Sequence, residues 1–173
     1  MSKKKIEDVA NDVLKDDAQR NALEFIAYLR ANEVTLNDSD NGFWDATYKG
    51  EGLCVINIAT YDDHSSFDTF IKDLPNAWKM CSDGKKSDEC SAFFADERTK
   101  EIIWANIRPH DPTCHGACRP GSRRIILGKV FENLCSSALG IYGPDAETVN
   151  CMKKIVNGLQ SDILQKVSAE EKR

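Results

Sequence analysis

The chain has 173 residues, of which 41% are hydrophobic and 29% are charged, close to the averages of soluble globular proteins. No stretch approaches the roughly 20 consecutive apolar residues of a membrane-spanning helix, so we expect no membrane partner. The formal net charge of −5 argues against general attraction to nucleic acid or anionic lipid, so we expect no nucleic-acid partner.

Length and the N-terminal segment give two further expectations. The length fits a single domain over residues 1–173, with frayed tails at 1–5 and 168–173. The basic start MSKKK is not followed by an apolar segment, so no secretory signal is predicted. The expected location is therefore cytoplasmic.

Two helices are predicted at the start of the chain. Ile6, Val9 and Val13 recur at helical spacing, and KDDAQ interrupts the pattern. Asp17 is the predicted N-cap of the second helix. The apolar stripe of that helix contains Ala18, Ala22, Phe25, Ile26 and Leu29. The polar segment NEVTLNDSDNG that follows is predicted to be a loop.

The segment FWDATYKGEGLCVINIATYDD predicts a β-hairpin. FWDATY alternates apolar and polar residues, KGEG is the predicted turn, and LCVINIAT is rich in residues that favour strands. Cys54 and Ile56 fall on one face of the second strand, and Leu53 and Val55 fall on the other. Because both faces are apolar, we expect this strand to be central in the sheet.

The middle of the chain gives mixed signals. SSFDTFIKDL fits a helix or a strand, and Pro75 ends the element in either case. Asp96 is the predicted N-cap of a helix over ERTKEIIWANI, with Ile103 and Ile107 on its inner side. RPHDPTCHGACRPGS predicts a loop, whereas RRIILG and CSSALGIYG predict strands.

The C-terminal segment PDAETVNCMKKIVNGLQSDILQKV predicts a long helix. Pro144 precedes the helix, Asp145 is its predicted N-cap, and Glu147 suits the positive end of the helix dipole. The predicted core stripe contains Met152, Ile155, Val156, Leu159, Ile163 and Val167. The elements together predict an α+β fold with an antiparallel sheet of about three to five strands, N-terminal helices and a long C-terminal helix.

The seven cysteines suggest a structural zinc site. Their odd number, in a chain with no predicted signal, argues against a framework of disulfides. Zinc is held by four ligands, commonly thiolates and imidazoles, and close ligand pairs are separated by two to four residues. Cys114 and Cys118 have this spacing, and Cys135 is the predicted third ligand. The candidates for the fourth ligand are Cys54, Cys151, His110 and His115, and a second ligand set would join Cys81 and Cys90 to the CHGAC pair.

The cysteines of CHGAC have two alternative roles besides zinc binding. Free cysteines pack as small apolar residues, so thiols without a metal are one alternative. A redox pair or another thiol-dependent enzyme is a second alternative, because nearby arginines would stabilise a thiolate. Reactive cysteines usually lie at a helix N-terminus, however, and a strand is predicted to follow this pair.

The arginines beside CHGAC predict an anion site. Arg119, Arg123 and Arg124 lie near a Pro-Gly turn, and Lys129 follows Gly128. Guanidinium groups suit bidentate contacts to carboxylate or phosphate. GSRRIILGK lacks the GxxxxGK[ST] pattern, so it is not a phosphate loop of that type. We predict that these four residues bind a ligand together with Trp44, one of several aromatic residues that could line a pocket.

A resemblance covers most of residues 17–165. The run DERTKEIIWANIRPH, the CHGAC-RPG loop, ILGKVFENLC and PDAETVNCMKK resemble a group of uncharacterised small proteins from clostridia and related Firmicutes. NALEFIAYLRANEV and the hairpin with Trp44 and Cys54 belong to the same pattern. The resemblance implies no known activity.

These observations predict a protein that binds a small ligand or a protein partner and carries a structural zinc site. A thiol-dependent redox enzyme or transferase is the first alternative, and an interaction protein with core cysteines is the second. The sequence alone does not decide whether the protein is an enzyme.

Overall fold

The computed structural model describes residues 4–39, 41–61, 64–71, 73–76, 96–110 and 122–171. These residues form two compact units. The first unit comprises Met1–Phe70 and Ile141–Arg173, and the second comprises Ile71–Gly140. A single domain over 1–173 stays a prediction.

The strands of the first unit follow one another across the sheet. They are β1 (Thr35–Asp38), β2 (Phe43–Tyr48), β3 (Glu51–Thr60) and β4 (Ser65–Ile71), in the order β1-β2-β3-β4. The prediction of a loop at β1 was wrong: TLND pairs antiparallel with β2, from Thr35 opposite Thr47 to Asp38 opposite Trp44. None of the four β1 side chains is buried. A strand at the edge of the sheet with no buried side chains needs no apolar pattern. The mostly polar sequence of β1 therefore did not predict a strand.

The predicted hairpin of β2 and β3 is confirmed. Lys49 and Gly50, with φ of 49° and 83°, form the turn between the two strands. Both positive φ values match the mirror-image turns that follow the twist of a two-stranded ribbon. Strand β3 is central as expected, because β2 and β4 flank it and Leu53, Cys54 and Ile56 are all buried.

The N-terminal helices are α1 (Ile6–Val13) and α2 (Asp16–Ala31). The expected cap of α2 was wrong, because Lys15 occupies the N-cap position and makes no side-chain capping hydrogen bond. The predicted stripe is largely buried: Ala22, Phe25, Ile26 and Leu29 are at most 1% exposed. Phe25 meets Phe67 of β4, with 6.3 Å between ring centroids.

The long C-terminal helix α3 of the first unit (Ala146–Glu170) begins as predicted. The Asp145 carboxylate accepts a hydrogen bond of 2.8 Å from the Thr148 backbone N–H. Met152, Ile155 and Val156 are fully buried, as the core stripe predicted. Toward the C-terminus, Leu159, Ile163 and Val167 are half-buried, so the stripe becomes partly exposed there.

Helices α2 and α3 are joined by polar contacts along their length. The Asn21 side chain donates to the Pro144 carbonyl at 2.9 Å, and the Tyr28 hydroxyl donates to the Lys153 carbonyl at 3.1 Å. At the other end, the Gln160 amide donates to the Asn32 carbonyl at 2.8 Å. The two helices are therefore held in one register.

The second unit contains one described helix and three strands. They are helix α4 (Glu97–Ala105, numbered after the helices of the first unit), β5 (Ile107–Pro109), β6 (Ser122–Ile126) and most of β7 (Lys129–Tyr142). Asp96 caps α4 as predicted, accepting from the Arg98 backbone N–H at 3.0 Å. The helix ends at Ala105, so the expectation that Ile107 lies on it was wrong. Strand β7 pairs antiparallel with β5 and with β6.

The α+β class, the antiparallel pairing and the helices at both ends of the sequence are confirmed. The described strands number seven, so the expectation of three to five strands was too low. The excess comes from β1 and the three-residue β5, which carry little apolar pattern. In addition, β7 starts at Lys129, six residues before the segment CSSALGIYG in which a strand was predicted.

The turn between β2 and β3 gives a test with a matched control. A Cβ added at Gly50 or at Gly52 would meet no atom within 4 Å, but only Gly50 has a positive φ, of 83°. We expect Gly50→Ala to lower the free energy of unfolding by about 1 kcal/mol, the cost of the left-handed region for an L-residue. Gly52→Ala should leave that free energy unchanged or raise it slightly. Urea denaturation of both variants measures the difference, and equal stabilities would contradict the assigned turn.

Candidate functional site

The β6–β7 hairpin of the second unit carries three of the predicted ligand-binding residues. Its turn consists of Leu127 and Gly128, whose φ values are 50° and 81°. Arg124 lies opposite Phe131, Ile125 opposite Val130, and Ile126 opposite Lys129. Because side chains alternate along a strand, Arg124 and Lys129 share a face, whereas Ile125 and Val130 lie on the other.

Trp104 of α4 packs on the face that carries Arg124 and Lys129. Its indole Nε1–H donates to the Ile126 carbonyl at 2.9 Å, which fixes the ring against β6. Trp104 is half-buried, so one part of the indole stays accessible. The helix thus supplies an aromatic side chain that the hairpin alone does not have.

The Lys129 ammonium lies over two aromatic rings. Its Nζ is 5.3 Å from the centroid of Trp104 and 5.4 Å from that of Phe131. Both distances fall within the range of cation–π attraction, worth about 0.5–1 kcal/mol at an exposed site. We call Trp104, Arg124, Lys129 and Phe131 the aromatic–cationic face. Its cation is held in place by rings, which leaves ammonium hydrogens available to an anion.

Arg123 lies on the opposite side of the hairpin. Its Nε donates to Glu132 Oε1 at 3.0 Å, in an exposed ion pair. On that side Ile125 and Val130 are 37% and 46% exposed. The sequence placed Arg123 and Arg124 in a single cluster, and the register of the strand assigns them to different faces.

The other predicted site residues are the candidate zinc ligands, Arg119 and Trp44. Arg119, Cys114 and Cys118 lie outside the described residues, as do Cys81, Cys90 and His115. Cys135 belongs to β7. Trp44 is 5% exposed in β2, where it forms part of the core of the first unit. The described residues contain no group of three or more His, Cys, Asp or Glu that could hold a metal ion.

Cys54 and Cys151 are core residues of the first unit. They are 4% and 2% exposed, and Cys54 forms no disulfide. Burial raises the pKa of the Cys54 thiol to about 12, because the apolar surroundings disfavour the thiolate. Such a thiol packs as an apolar group and is a poor nucleophile at neutral pH.

His110 has an unusual environment at the end of β5. Its backbone N–H donates to the Asn133 carbonyl at 2.6 Å, and the Asn133 amide donates back at 3.4 Å. The imidazole Nδ1 is buried and has no hydrogen-bond partner in the part of the chain that the structure describes. Asn133 lies in β7 two residues before Cys135, so the His110 backbone is fixed beside the strand that carries a predicted metal ligand.

Trp104 and Phe131 belong to the aromatic residues that the sequence offered as a pocket lining, but Trp44 was predicted as the ligand-binding aromatic in their place. Both were recognised as aromatic, but nothing in the spacing linked them to Lys129. The link depends on the turn at Leu127, which is not one of the usual turn residues.

No family model, curated protein or solved structure matches the chain. The resemblance to small clostridial proteins stays a prediction. Among the helices in the described part of the chain, none has the length and apolar character needed to cross a membrane.

The Cys54 thiol predicts a pH dependence of stability. Its folded pKa of about 12 exceeds the ordinary value of 9.0, so the unfolded chain loses this proton first as pH rises. The stabilisation is complete below pH 9 and declines above it by about 1.4 kcal/mol per pH unit. We expect wild-type protein to lose about 2 kcal/mol more than Cys54→Ala between pH 9 and pH 10.5. Urea denaturation at several pH values checks this, and parallel curves for the two proteins would contradict it.

Proposed function

We propose that the protein is a binding module whose aromatic–cationic face takes an acidic segment of a protein partner. The observation that carries the proposal is the position of Lys129, with Nζ within 5.4 Å of two ring centroids. A carboxylate of the partner would pair with this ammonium, and an apolar side chain beside it would contact the exposed part of the rings.

Charge supports an acidic partner. Lys129 forms no ion pair with any carboxylate of the described residues, and Arg124 shares its face at the diagonal position of the ladder. Diagonal neighbours are separated by about 7–8 Å, a spacing that two carboxylates of one extended peptide can match. The chain as a whole carries −5, so a cationic face is a local feature and attraction to acidic groups is directed to it.

Composition and exposure support a protein partner over a small molecule at this face. Arg and aromatic residues are enriched where proteins bind one another, whereas small-molecule sites are usually concave. Lys129 and Arg124 are exposed, and Trp104 and Phe131 are half-buried. An exposed ribbon of this kind offers a surface to an extended segment.

The alternative of a thiol-dependent enzyme rests on Cys114 and Cys118 and stays a prediction. Cys54 is a poor candidate for its nucleophile at neutral pH, since burial raises the pKa of its thiol to about 12.

A pair of acidic peptides tests the proposal. The probe is a synthetic decapeptide of alternating Glu and Leu, and its control has Gln in place of Glu. Lys129→Gln and Arg124→Gln should each weaken binding of the Glu peptide about fivefold, the effect of one exposed charge pair. Arg123→Gln is the matched control, because Arg123 lies on the other face and pairs with Glu132.

Calorimetry gives the dissociation constants, and the Trp104 indole N–H signal in an NMR spectrum reports the location. Trp104→Phe identifies that signal by its loss. Equal affinity for the Gln peptide, or weakening by Arg123→Gln alone, would refute the assigned face.

We also propose that Cys114, Cys118 and Cys135 bind zinc with His110 as the fourth ligand. The supporting observation is the buried Nδ1 of His110, which follows directly after β5 and has no hydrogen-bond partner among the described residues. A buried polar nitrogen without a partner is costly, and a metal bond would remove that cost.

Zinc content and melting temperature test this proposal. We expect one zinc per purified chain, and its loss with a lower melting temperature in Cys118→Ala and His110→Ala, because structural metal binding adds to folding free energy. Cys54→Ala should keep its zinc, since Cys54 is not among the proposed ligands. Metal-free wild-type protein, or full zinc occupancy in His110→Ala, would contradict the proposed ligand set.

A further inference from the structure

A cavity of about 470 Å³ lies in the first unit, where the C-terminal end of α2, the end of β2 and the middle of α3 meet. Asn32 and Glu33 line it directly after α2, Tyr48 lines it from β2, and Gln160 and Leu164 line it from α3. We call it the helix-end cavity. Its volume lies within the range of pockets that hold small molecules, about 300–1,000 Å³.

Two side-chain amides of the helix-end cavity are oriented by backbone carbonyls. The Gln160 amide donates to the Asn32 carbonyl at 2.8 Å, and the Asn32 amide donates to the Tyr28 carbonyl at 2.8 Å. Because only the NH₂ end of an amide donates, Gln160 Oε1 and Asn32 Oδ1 are left as acceptors. Neither oxygen has a hydrogen-bond partner in the part of the chain that the structure describes. Gln160 is 7% exposed, so its unpaired oxygen is costly unless a donor approaches it from the cavity.

Tyr48 brings a hydroxyl to the same cavity. Its side chain is 8% exposed, yet the hydroxyl forms no hydrogen bond with any described residue. A hydroxyl can accept through its lone pairs as well as donate. The Lys49 Nζ lies 5.9 Å from the Tyr48 ring centroid, so the ring already attracts a cation of the chain itself. A ligand therefore meets the hydroxyl end of Tyr48.

Glu33 adds a carboxylate at the cost of backbone strain. Its φ is 60°, in the left-handed region. Its backbone N–H donates to the Arg30 carbonyl at 3.2 Å, and the Val34 N–H donates to the Leu29 carbonyl at 3.0 Å. Glycine is the usual residue at this position of a helix end with that pair of hydrogen bonds. Strained residues of this kind cluster at functional sites, and this one lines a cavity.

We infer that the helix-end cavity binds the ammonium group of a small primary amine with a short alkyl chain. An ammonium has three donors and no acceptor, and Gln160 Oε1, the Tyr48 hydroxyl and the Glu33 carboxylate accept from it. The C-terminal end of α2 adds the negative end of a helix dipole. Leu164, which is 41% exposed, contacts the alkyl chain. This inference is independent of the aromatic–cationic face, whose residues belong to the other unit.

Three probes test the chemistry of the ligand. n-Butylammonium carries a charge and N–H donors, tetramethylammonium carries the charge alone, and 1-butanol carries the alkyl chain without a charge. Each is titrated into the full-length protein, and the side-chain amide signals of Asn157, which lines the cavity, are followed by NMR. Asn157→Ala identifies those signals by their loss. We expect a saturable shift with n-butylammonium alone at millimolar concentration. No shift, or an equal shift with either of the other probes, overturns the inference.

Substitutions test the proposed acceptors. We expect Glu33→Gln to weaken n-butylammonium binding about fivefold, the effect of one exposed charge pair. Tyr48→Phe should weaken it about fivefold through the loss of one hydrogen bond. Lys49→Gln should tighten it, because that change removes a like charge beside the ligand. Glu51→Gln is the charge-matched control, since Glu51 pairs with Lys166 at 2.7 Å and does not line the cavity. Unchanged affinity in Glu33→Gln, or an equal loss in Glu51→Gln, overturns the inference.

Glu33→Gly separates binding from folding. Glycine adopts a φ of 60° without strain, so the melting temperature of this variant should equal or exceed that of the wild type. We expect its affinity for n-butylammonium to fall as far as that of Glu33→Gln, because both variants lack the carboxylate. A Glu33→Gly protein that keeps the wild-type affinity overturns the inference.

Discussion

The pairing of α2 with α3 is the constraint on which the first unit depends. Its hydrogen bonds join residues 123 to 128 positions apart in the chain. Bringing such distant segments together costs chain entropy, which apolar burial must offset. Ala22, Phe25, Ile26 and Leu29 of α2 and Met152, Ile155 and Val156 of α3 are all buried. The polar contacts at both ends then fix the register of these two apolar stripes.

The distance along the chain between interacting residues also explains which elements could be predicted from the sequence. Asp96 and Asp145 were recognised as caps because an N-cap acts on backbone groups only two or three residues away. The β2–β3 hairpin was recognised because its turn and its alternation are also local. Strands β1 and β5 were missed, since their short polar segments become strands only through partners elsewhere in the chain.

In the candidate site, too, some features follow from local sequence and others depend on distant partners. Arg123, Arg124 and Lys129 were recognised from their type and spacing, since cations next to a glycine turn suggest an anion. Their separation onto two faces follows from the pairing of Arg124 with Phe131, which no local pattern fixes. Trp104 joins the face through a hydrogen bond to Ile126, 22 residues away. Position along the chain therefore indicates which residue types lie near one another in sequence, and not which face of the hairpin each one occupies.

The cysteines fall into two groups. Two are core residues, and the predicted metal ligands form the other group. Cys54 and Cys151 are buried in the first unit, where a thiol fills space as an apolar group. Their conversion to alanine would leave small voids and remove no charge. The predicted metal ligands Cys114, Cys118 and Cys135 instead fall within residues 71–140, the sequence range of the second unit.

A hydrogen bond at the base of β4 has a consequence for the modularity of the chain. The Gly143 backbone N–H donates to the Phe67 carbonyl at 3.0 Å, so the segments that lead into and out of residues 71–140 lie side by side. Residues 71–140 thus form an insertion whose two ends are close in space. A short turn could connect Phe70 to Ile141 and retain every described contact within the first unit. The gene segment for residues 71–140 could then be exchanged or lengthened during evolution without rebuilding the core that α2 and α3 form.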